Sequence, residues 1–326
     1  MTLFRTLALA ALTSIALTPS AHAVEGGIGS YFLGTRDTLS GIVPPPGTYL
    51  SFSYDNLSGS VEGIAINGLP IRANVDVDVN LVRLAATQSF DTKLWGAQPA
   101  INLTIPFPST ELNYTAVTAP LEGIGFQDDS FGIGDFTLSG LLGWSSGLWN
   151  YSTALSLYLP TGDYDTASIN IQDRSVDFLS NGKNVWTLQP VFAATWLNPQ
   201  TGLEFSGAAS LSIVSFNNAT NYQTAPALQL EGAVVQRLPS GWGFGLAGYT
   251  YNQLSDDSGS GADFTRAALE AESLKAEVYG LGPLVTYSGG TLFGGDLSVK
   301  AKYTQEFGAS RRLESDVFSF NLSLSF

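Results

Sequence analysis

Charged side chains at alternate positions within apolar segments are the groups of this chain that could do chemistry. The set consists of Asp76, Asp78, Glu204, Glu231, Lys275, Glu277, Lys300 and Lys302. Two carboxylates can act as acid and base in glycoside hydrolysis, whereas facing acids and bases form ion pairs or line a polar channel. Because Asp76 and Asp78 are two residues apart, a strand points both the same way. This spacing favours ion pairs or lining groups over catalysis.

The histidine and cysteine inventory narrows the chemistry further. The one histidine, His22, lies in a segment that we expect to be removed, and the chain has no cysteine. Hydrolases that need a histidine base are therefore excluded for the mature chain. Disulfides, thiolate metal sites and a lipoprotein anchor are excluded as well. We predict that the protein is not an enzyme and has no cofactor and no metal site.

The first 23 residues have the organisation of a secretory signal peptide. Arg5 supplies the positive start, residues 7–17 are apolar, and Ala21, His22 and Ala23 form a small-x-small cleavage site. A transmembrane anchor would need ~20 apolar residues, so the run is too short for one. The sequence predicts cleavage before Val24 and export.

Composition restricts the exported classes. Removing residues 1–23 leaves 13 basic residues against 28 acidic ones, a net charge near −15, which excludes nucleic acid as a partner. The chain has 35 glycines, 12% aromatic and 13% charged residues, and its 44% apolar residues form no long run. This dispersion indicates many short strands with one apolar face rather than a helical membrane protein.

The C-terminal segment alternates strictly between apolar and polar residues. Its apolar positions are Phe318, Phe320, Leu322, Leu324 and Phe326. A soluble sandwich can end on such a strand, but an aromatic at the final position is typical of the closing strand of an outer-membrane barrel. We predict that these five residues form the signal read by the barrel assembly machinery.

Alternating segments and turn residues predict twelve strands. They lie near residues 48–56, 73–89, 94–106, 133–145, 148–160, 185–197, 202–215, 225–238, 241–254, 273–288, 291–306 and 314–326. Short and long connections alternate, which is the arrangement of periplasmic turns and extracellular loops. The predicted fold is an all-β, transmembrane, antiparallel up-and-down barrel over residues 47–326, in the bacterial outer membrane.

Strand alternation also assigns the two faces of the wall. We expect lipid to face Leu203, Phe205, Ala209, Leu211, Ile213, Tyr151, Thr153, Leu155, Leu157, Leu159, Trp186, Leu188, Phe192 and Trp196. The eight charged residues named first, with Asn80 and Gln229, are predicted to face the lumen. Strict alternation from Asp78 would turn Arg83 outward, so we predict a bulge near residues 81–83. The six tryptophans are interpreted as an interfacial girdle.

Several short motifs carry a family resemblance. They are Glu25-Gly26-Gly27, Tyr31-Phe32-Leu33-Gly34, Pro44-Pro45-Pro46-Gly47-Thr48-Tyr49, Gly132-Ile133-Gly134-Asp135, Leu159-Pro160-Thr161-Gly162-Asp163-Tyr164, Gly282-Pro283 and Tyr303 with Glu306-Phe307. In this order they resemble the outer-membrane family named after the meta-pathway of phenol degradation. The resemblance implies a transporter or channel for aromatic and other hydrophobic compounds, and it carries no catalytic residues.

Two regions keep alternative interpretations. Residues 24–46 either fold into the lumen as a plug or form a periplasmic tail. The acidic pairs Asp128-Asp129 and Asp163 with Asp165 are interpreted as solvated loop residues, the alternative being Ca²⁺ or lipopolysaccharide contacts.

We therefore predict a channel or transporter for small hydrophobic compounds, aromatic ones above all. The alternative is a structural or adhesive barrel with a closed lumen. The expected partners are outer-membrane lipids, lipopolysaccharide, the assembly machinery and a small hydrophobic substrate. The sequence leaves the oligomeric state open.

Overall fold

The computed structural model describes residues 28–116, 123, 125–170 and 175–326. The predicted signal peptide, residues 1–23, lies outside the described residues, as do residues 24–27. The elements, in chain order, are β1 (Gly47–Ile66), β2 (Leu69–Ser89), β3 (Gln98–Ala116), β4 (Gly125–Phe131), β5 (Thr137–Ser146), β6 (Trp149–Tyr158), β7 (Ser168–Asn170), β8 (Ser175–Asp177), β9 (Thr187–Asn198), β10 (Leu203–Val214), β11 (Ala227–Arg237), β12 (Trp242–Gln253), α1 (Ser260–Ala268), β13 (Glu277–Leu292), β14 (Gly295–Ser310) and β15 (Glu314–Ser325).

Pairing between the first and last strands closes the sheet into a barrel. β1 pairs with β2 on one side and with β15 on the other. β4 and β5 both pair with β3, one above the other, so together they form one interrupted wall strand. Counted this way, the wall has the twelve antiparallel strands that the sequence predicts. β7 and β8 form a separate small sheet within the link from β6 to β9.

The two rims of the barrel differ as expected. Short links at residues 90–97, 147–148, 199–202, 238–241 and 293–294 mark the lower rim. At this rim Phe326 N donates to Thr48 O (2.9 Å) and Thr48 N donates to Phe326 O (3.1 Å). The upper rim carries the long links 159–186, 215–226 and 254–276.

β1 and β2 are much longer than the predicted strands at 48–56 and 73–89. They continue to a two-residue turn at Asn67 and Gly68, whose φ angles are 46° and 88°. Positive φ at both positions is what a tight hairpin that matches strand twist requires, and Asn-Gly adopts it readily. The expected loop at residues 57–72 is therefore a tall hairpin.

The polarity of both wall faces reverses partway up these tall strands. In β2, Leu84 is exposed on the outer face and Arg83 points inward, where it pairs with Asp55 (2.6 Å). Higher up, Val75, Val77 and Val79 are buried on the inside and the residues between them face outward. Outside the lipid layer the outer face meets water, so the apolar residues belong inside.

This reversal corrects the predicted bulge near residues 81–83. The β1–β2 register runs without a break from Gly47↔Ser89 to Glu62↔Asn74. Arg83 faces inward in an unbroken strand because the strand passes from one environment to another. At this height the surroundings of the two faces change, but the alternation of side chains between the inner and the outer face continues unbroken.

The wall contains a seam where β3 changes partner. Thr104 is the last residue paired with β5, and Ser109 is the first paired with β4. Pro106 and Pro108 between them have no N–H to donate. The seam is held by Gly134 N to Pro106 O (2.9 Å) and Gly132 N to Pro108 O (3.3 Å), both running in one direction.

Helix is nearly absent from this architecture. Within the described ranges, α1 is the single named helix, and no helix there is long and apolar enough to cross a membrane.

Candidate functional site

The lumen is occupied by residues 28–46, here called the inner segment. It contacts strands on every side of the ring. Ser40 O accepts a hydrogen bond from Ser152 Oγ of β6 (2.9 Å), and Ser30 Oγ lies 3.0 Å from Thr187 Oγ1 of β9. Near the lower rim, Ser89 Oγ of β2 donates to Pro44 O (2.8 Å). The two alternatives for this region are a plug in the lumen and a periplasmic tail. The described part of it lies inside the barrel.

Gly41 fixes how closely the inner segment approaches the wall. Its N–H donates to Thr195 Oγ1 (3.0 Å). A Cβ atom at this position would lie 2.5 Å from Asn150 O and similarly close to the backbone of β9. Glycine is therefore required here by the backbone contact, which holds the segment against β6 and β9.

Glu204 anchors the middle of the inner segment. Its side chain is fully buried, and Arg237 of β11 forms an ion pair with it (2.7 Å). Thr38 Oγ1 and Leu39 N, both from the inner segment, donate to Oε1 at 2.7 Å. Leu39 has φ 56°, a left-handed conformation that is unfavourable for leucine. These bonds stabilise that bend.

Asp37 of the inner segment binds two lysines of the wall. Its Oδ1 lies 2.5 Å from Lys300 Nζ and its Oδ2 lies 3.0 Å from Lys302 Nζ. Lys302 Nζ also donates to Gly34 O. The side chains of Asp37 and Lys302 are 1% and 3% exposed, so this contact excludes water. Charge-assisted bonds of this kind are the strong ones in a dry interior.

Arg36 joins the inner segment to β9 and β11. Its backbone N–H donates to Glu231 Oε2 (2.8 Å), and its guanidinium donates to Gln189 Oε1 (2.8 Å). Gln189 is itself buried and donates to Ser210 and Ser212 of β10. The lower half of the lumen is thus a continuous polar network.

An apolar cavity of about 180 Å³ lies in the upper half of the lumen. Ile28 and Phe32 of the inner segment form one side of it. Its apolar wall residues are Ile66, Val77, Val79, Leu81, Pro106, Pro108, Leu112 and Leu179. The polar part of the lining comes from Ser30, Asn67, Thr110, Asp135, Ser180, Asn181 and Lys183. The cavity adjoins the proline seam of β3.

A buried cluster supports this cavity. Its residues are Leu57, Val61, Ile66, Ile71, Val75, Val77, Val79, Leu112, Tyr114, Phe126, Phe178, Leu313 and Val317. Phe178 comes from the link between β6 and β9, and Asp128 Oδ2 accepts the N–H groups of Phe178 (2.7 Å) and Leu179 (2.9 Å). The described part of this link around Phe178 is therefore folded inward and packs within the upper lumen.

Four of the eight residues predicted to line the lumen lie inside it. They are Glu204, Glu231, Lys300 and Lys302. The prediction is wrong for Asp76, Asp78, Lys275 and Glu277, which lie on the outer face between inward-pointing Val75, Val77, Ala276 and Val278. All four stand above the apolar belt, where charged side chains on the outer face remain in water. Alternation alone could not separate these heights.

Sequence reasoning missed several lumen charges. Arg36, Asp37, Asp55, Arg237 and Arg312 all take part in interior ion pairs or hydrogen bonds. Arg36 and Asp37 could have been found from the sequence. Residues 24–46 are predicted either to plug the lumen or to form a tail, and two adjacent charges in a plug need partners on the wall.

Five of the six tryptophans are exposed on the outer surface, whereas Leu324 of the C-terminal segment is only 9% exposed. Phe318 and Phe326 are exposed there, and Tyr49 to Ser60 pair with β15 and close the ring. Trp149 stacks on Tyr151 (6.0 Å between ring centroids), and Trp242 contacts Tyr287 (5.0 Å) near the lower rim. This arrangement is typical of an interfacial aromatic girdle.

Among the described residues, the acidic side chains of the upper wall do not gather into a metal site. Asp128 binds backbone amides, and Asp135 accepts N–H groups from Thr161, Gly162 and Lys183. Across the described ranges, no group of three or more acidic or histidine side chains could hold a metal ion.

Comparison with solved structures identifies the fold. The COG4313 outer membrane channel from Pseudomonas putida F1 superimposes with a TM-score of 0.67 at 13% identity, covering 89% of this chain and 99% of that one. The β domain of the Bordetella autotransporter BrkA gives a TM-score of 0.44 at 12% identity, covering 86% of this chain and 98% of its own. The TM-score of the BrkA domain is too low to support an inference about this chain. No curated protein matches the sequence.

The closed barrel and its apolar outer belt place the protein in the bacterial outer membrane. A family model described as "Putative MetA-pathway of phenol degradation" matches residues 56–322, and the chain belongs to that family.

Proposed function

We propose that this barrel carries small hydrophobic compounds, aromatic ones above all, across the outer membrane. The observation that carries the proposal is the apolar cavity between the inner segment and the upper walls of β2 and β3. Its volume of about 180 Å³ suits a single aromatic ring, since an apolar cavity of about 150 Å³ binds benzene. The apolar part of this lining favours a hydrophobic ring over a strongly hydrated molecule.

The inner segment acts as the gate in this proposal. It fills the lumen below the cavity, so passage requires it to move. Its contacts with the wall include hydrogen bonds and ion pairs to Glu204, Glu231, Lys300 and Lys302. Water or a polar ligand group can replace such bonds, which gives the closed state a reversible character.

A structural or adhesive barrel is the second candidate. The observation in its favour is the same inner segment, which closes the lumen from Ser30 at β9 to Pro44 at β2. A segment that never leaves would make the barrel a sealed outer-membrane protein, with the cavity as a part of its packing.

A disulfide lock separates the two candidates. Ser30 Oγ and Thr187 Oγ1 lie 3.0 Å apart, so Ser30→Cys with Thr187→Cys should bridge after a small adjustment. The chain has no cysteine of its own, and the two thiols are therefore unique. The lock holds the inner segment at both ends, because residue 46 is joined to β1.

The measurements are planar-bilayer conductance and uptake of toluene or phenol by a deletion strain. We expect conducting steps that toluene blocks, abolished in the oxidised double variant and restored by reductant. The Ser30→Cys single variant is the matched control and should respond to neither oxidant nor reductant. Absence of both conductance and uptake in the wild-type barrel would reject transport and leave the sealed barrel.

Assembly provides a separate prediction. We infer that the assembly machinery binds the C-terminal strand through Phe318, Phe320, Leu322, Leu324 and Phe326, in a membrane of lipid and lipopolysaccharide. Deleting Phe326 removes the aromatic end and the hydrogen-bonded pair with Thr48. The amount of heat-modifiable barrel in the outer membrane should fall several-fold, and an unchanged amount would contradict the inference.

A further inference from the structure

The ion pairs inside the barrel, among the described residues, divide into two classes. Three ion pairs join one wall residue to another, and they are Arg83 with Asp55, Arg237 with Glu204, and Arg312 with Glu306. Lys300 and Lys302 are different. Within the described part of the chain, their ion-pair partner is Asp37 of the inner segment.

This difference has a consequence for the open state. When the inner segment leaves the lumen, the three wall pairs remain intact, but the two lysines lose their carboxylate. Lys302 is 3% exposed at its side chain and also loses the carbonyl of Gly34. The two lysines then hold like charges close together without their ion-paired carboxylate, which is unfavourable. The open lumen therefore offers a site for one carboxylate.

The position of this site along the lumen is fixed by the order of the inner segment. Ile28 to Phe32 line the apolar cavity, Gly34 and Asp37 contact the lysines, and Pro44 reaches the lower rim. A molecule that moves inward from the cavity meets Lys300 and Lys302 next. An apolar chamber followed by an anion site suits a compound with a hydrocarbon body and one carboxylate.

We propose that Lys300 and Lys302 form a carboxylate-binding site of the transport path, which Asp37 occupies as an internal ligand while the lumen is closed. The cargo is then a small amphipathic acid, such as an aromatic monocarboxylate, whose carboxylate replaces that of Asp37. This inference rests on the proposed transport function and specifies its substrate class.

The test compares benzoate with benzyl alcohol, which has the same ring and no charge. Asp37→Asn removes the internal carboxylate from the site. Asp37→Asn combined with Lys300→Met and Lys302→Met also removes the two ammonium groups that form the site. Adding Lys275→Met to Asp37→Asn is the matched control, because Lys275 is exposed on the outer face. Binding to the refolded barrel is measured by calorimetry, and channel block and reversal potential are measured in a planar bilayer.

We expect Asp37→Asn to bind benzoate about tenfold more tightly than the triple variant does, as the loss of a charge-assisted bond predicts. Benzyl alcohol should not distinguish the two. The reversal potential in a KCl gradient should shift toward cations in the triple variant, and the Lys275→Met control should behave as Asp37→Asn does.

The outcomes separate the two proposals. Benzoate binding that is equal in Asp37→Asn and the triple variant would overturn the carboxylate site, even if toluene still blocks the channel. If neither toluene nor benzoate is bound or carried, the transport function itself fails. Should Asp37→Asn not fold, Gly41→Ala displaces the segment sterically with every charge retained, and Gly41→Ala with and without the two lysine changes replaces that comparison.

Discussion

The lower and upper halves of the lumen are filled by opposite kinds of contact, polar below and apolar above. In the lower half, buried polar groups such as Gln189, Glu204 and Lys302 each have directional partners, several of them on the inner segment. In the upper half, valines, leucines and aromatic rings pack without such bonds. Polar partners hold a segment in one position and can be exchanged, whereas apolar packing leaves a cavity that selects by size and hydrophobicity.

A charge placed in the upper half of the lumen is the strongest test of this difference between the two halves. Val77→Asp puts a carboxylate into the apolar cluster, whose members supply no cationic side chain. The free energy of unfolding should fall by about 3–5 kcal/mol, the scale for an unpaired charge in a core. Urea unfolding in lipid vesicles measures it.

Asp78→Asn is the matched control for this variant, one residue further along β2 and on the outer face. It should change stability by less than about 0.5 kcal/mol, as most surface substitutions do. Equal effects of the two substitutions would contradict the reversal of the two faces above the lipid layer.

A second variant addresses the lower half. Glu204→Gln keeps the shape of the side chain but removes the charge that Arg237, Thr38 and Leu39 share. We expect a loss of about 2–3 kcal/mol, the range for hydrogen bonds to a charged group. Because the strained bend at Leu39 loses its anchor, conductance should also rise. A destabilised barrel with unchanged conductance would mean that Glu204 supports the wall alone.

The fold could be read from the sequence because lipid imposes a strict pattern on every strand that it covers. Strand number, closure and the direction of Glu204 and Lys302 follow from alternation and turn residues. Above the lipid, water covers the outer face and the pattern inverts, so Asp78 and Glu277 were assigned to the wrong side. The cavity could not be predicted, because it depends on a link and an inner segment that carry no periodicity.

A smaller effect is expected at the upper rim, where pH should act on a buried carboxyl. Asp257 accepts hydrogen bonds from Tyr222 (2.6 Å), Ala225 N (2.7 Å) and Gln253 (2.7 Å). Burial raises the pKa of Asp257 to about 7, although those donors pull it down. A carboxyl with a raised pKa stabilises the fold below its unfolded value, near 3.9, and that contribution is lost as pH rises through about 7.

Hydrogen exchange of residues 217–226 and 254–270 measures this effect. Protection should be higher at pH 5 than at pH 8 after correction for the intrinsic rate. Asp257→Asn cannot ionise, so its corrected protection should be the same at both pH values. A wild-type difference that persists in this variant would assign the pH dependence to another group.

The inner segment also constrains the order in which the barrel can form. It precedes every wall strand in the chain, yet it lies within a ring that is completed only when β15 pairs with β1. The bond from Lys300 to Asp37 joins residues 263 positions apart. Contacts of such sequence separation are slow to form. Ring closure and insertion of residues 28–46 are therefore late events, and a barrel that closes first must admit the segment through one of its rims.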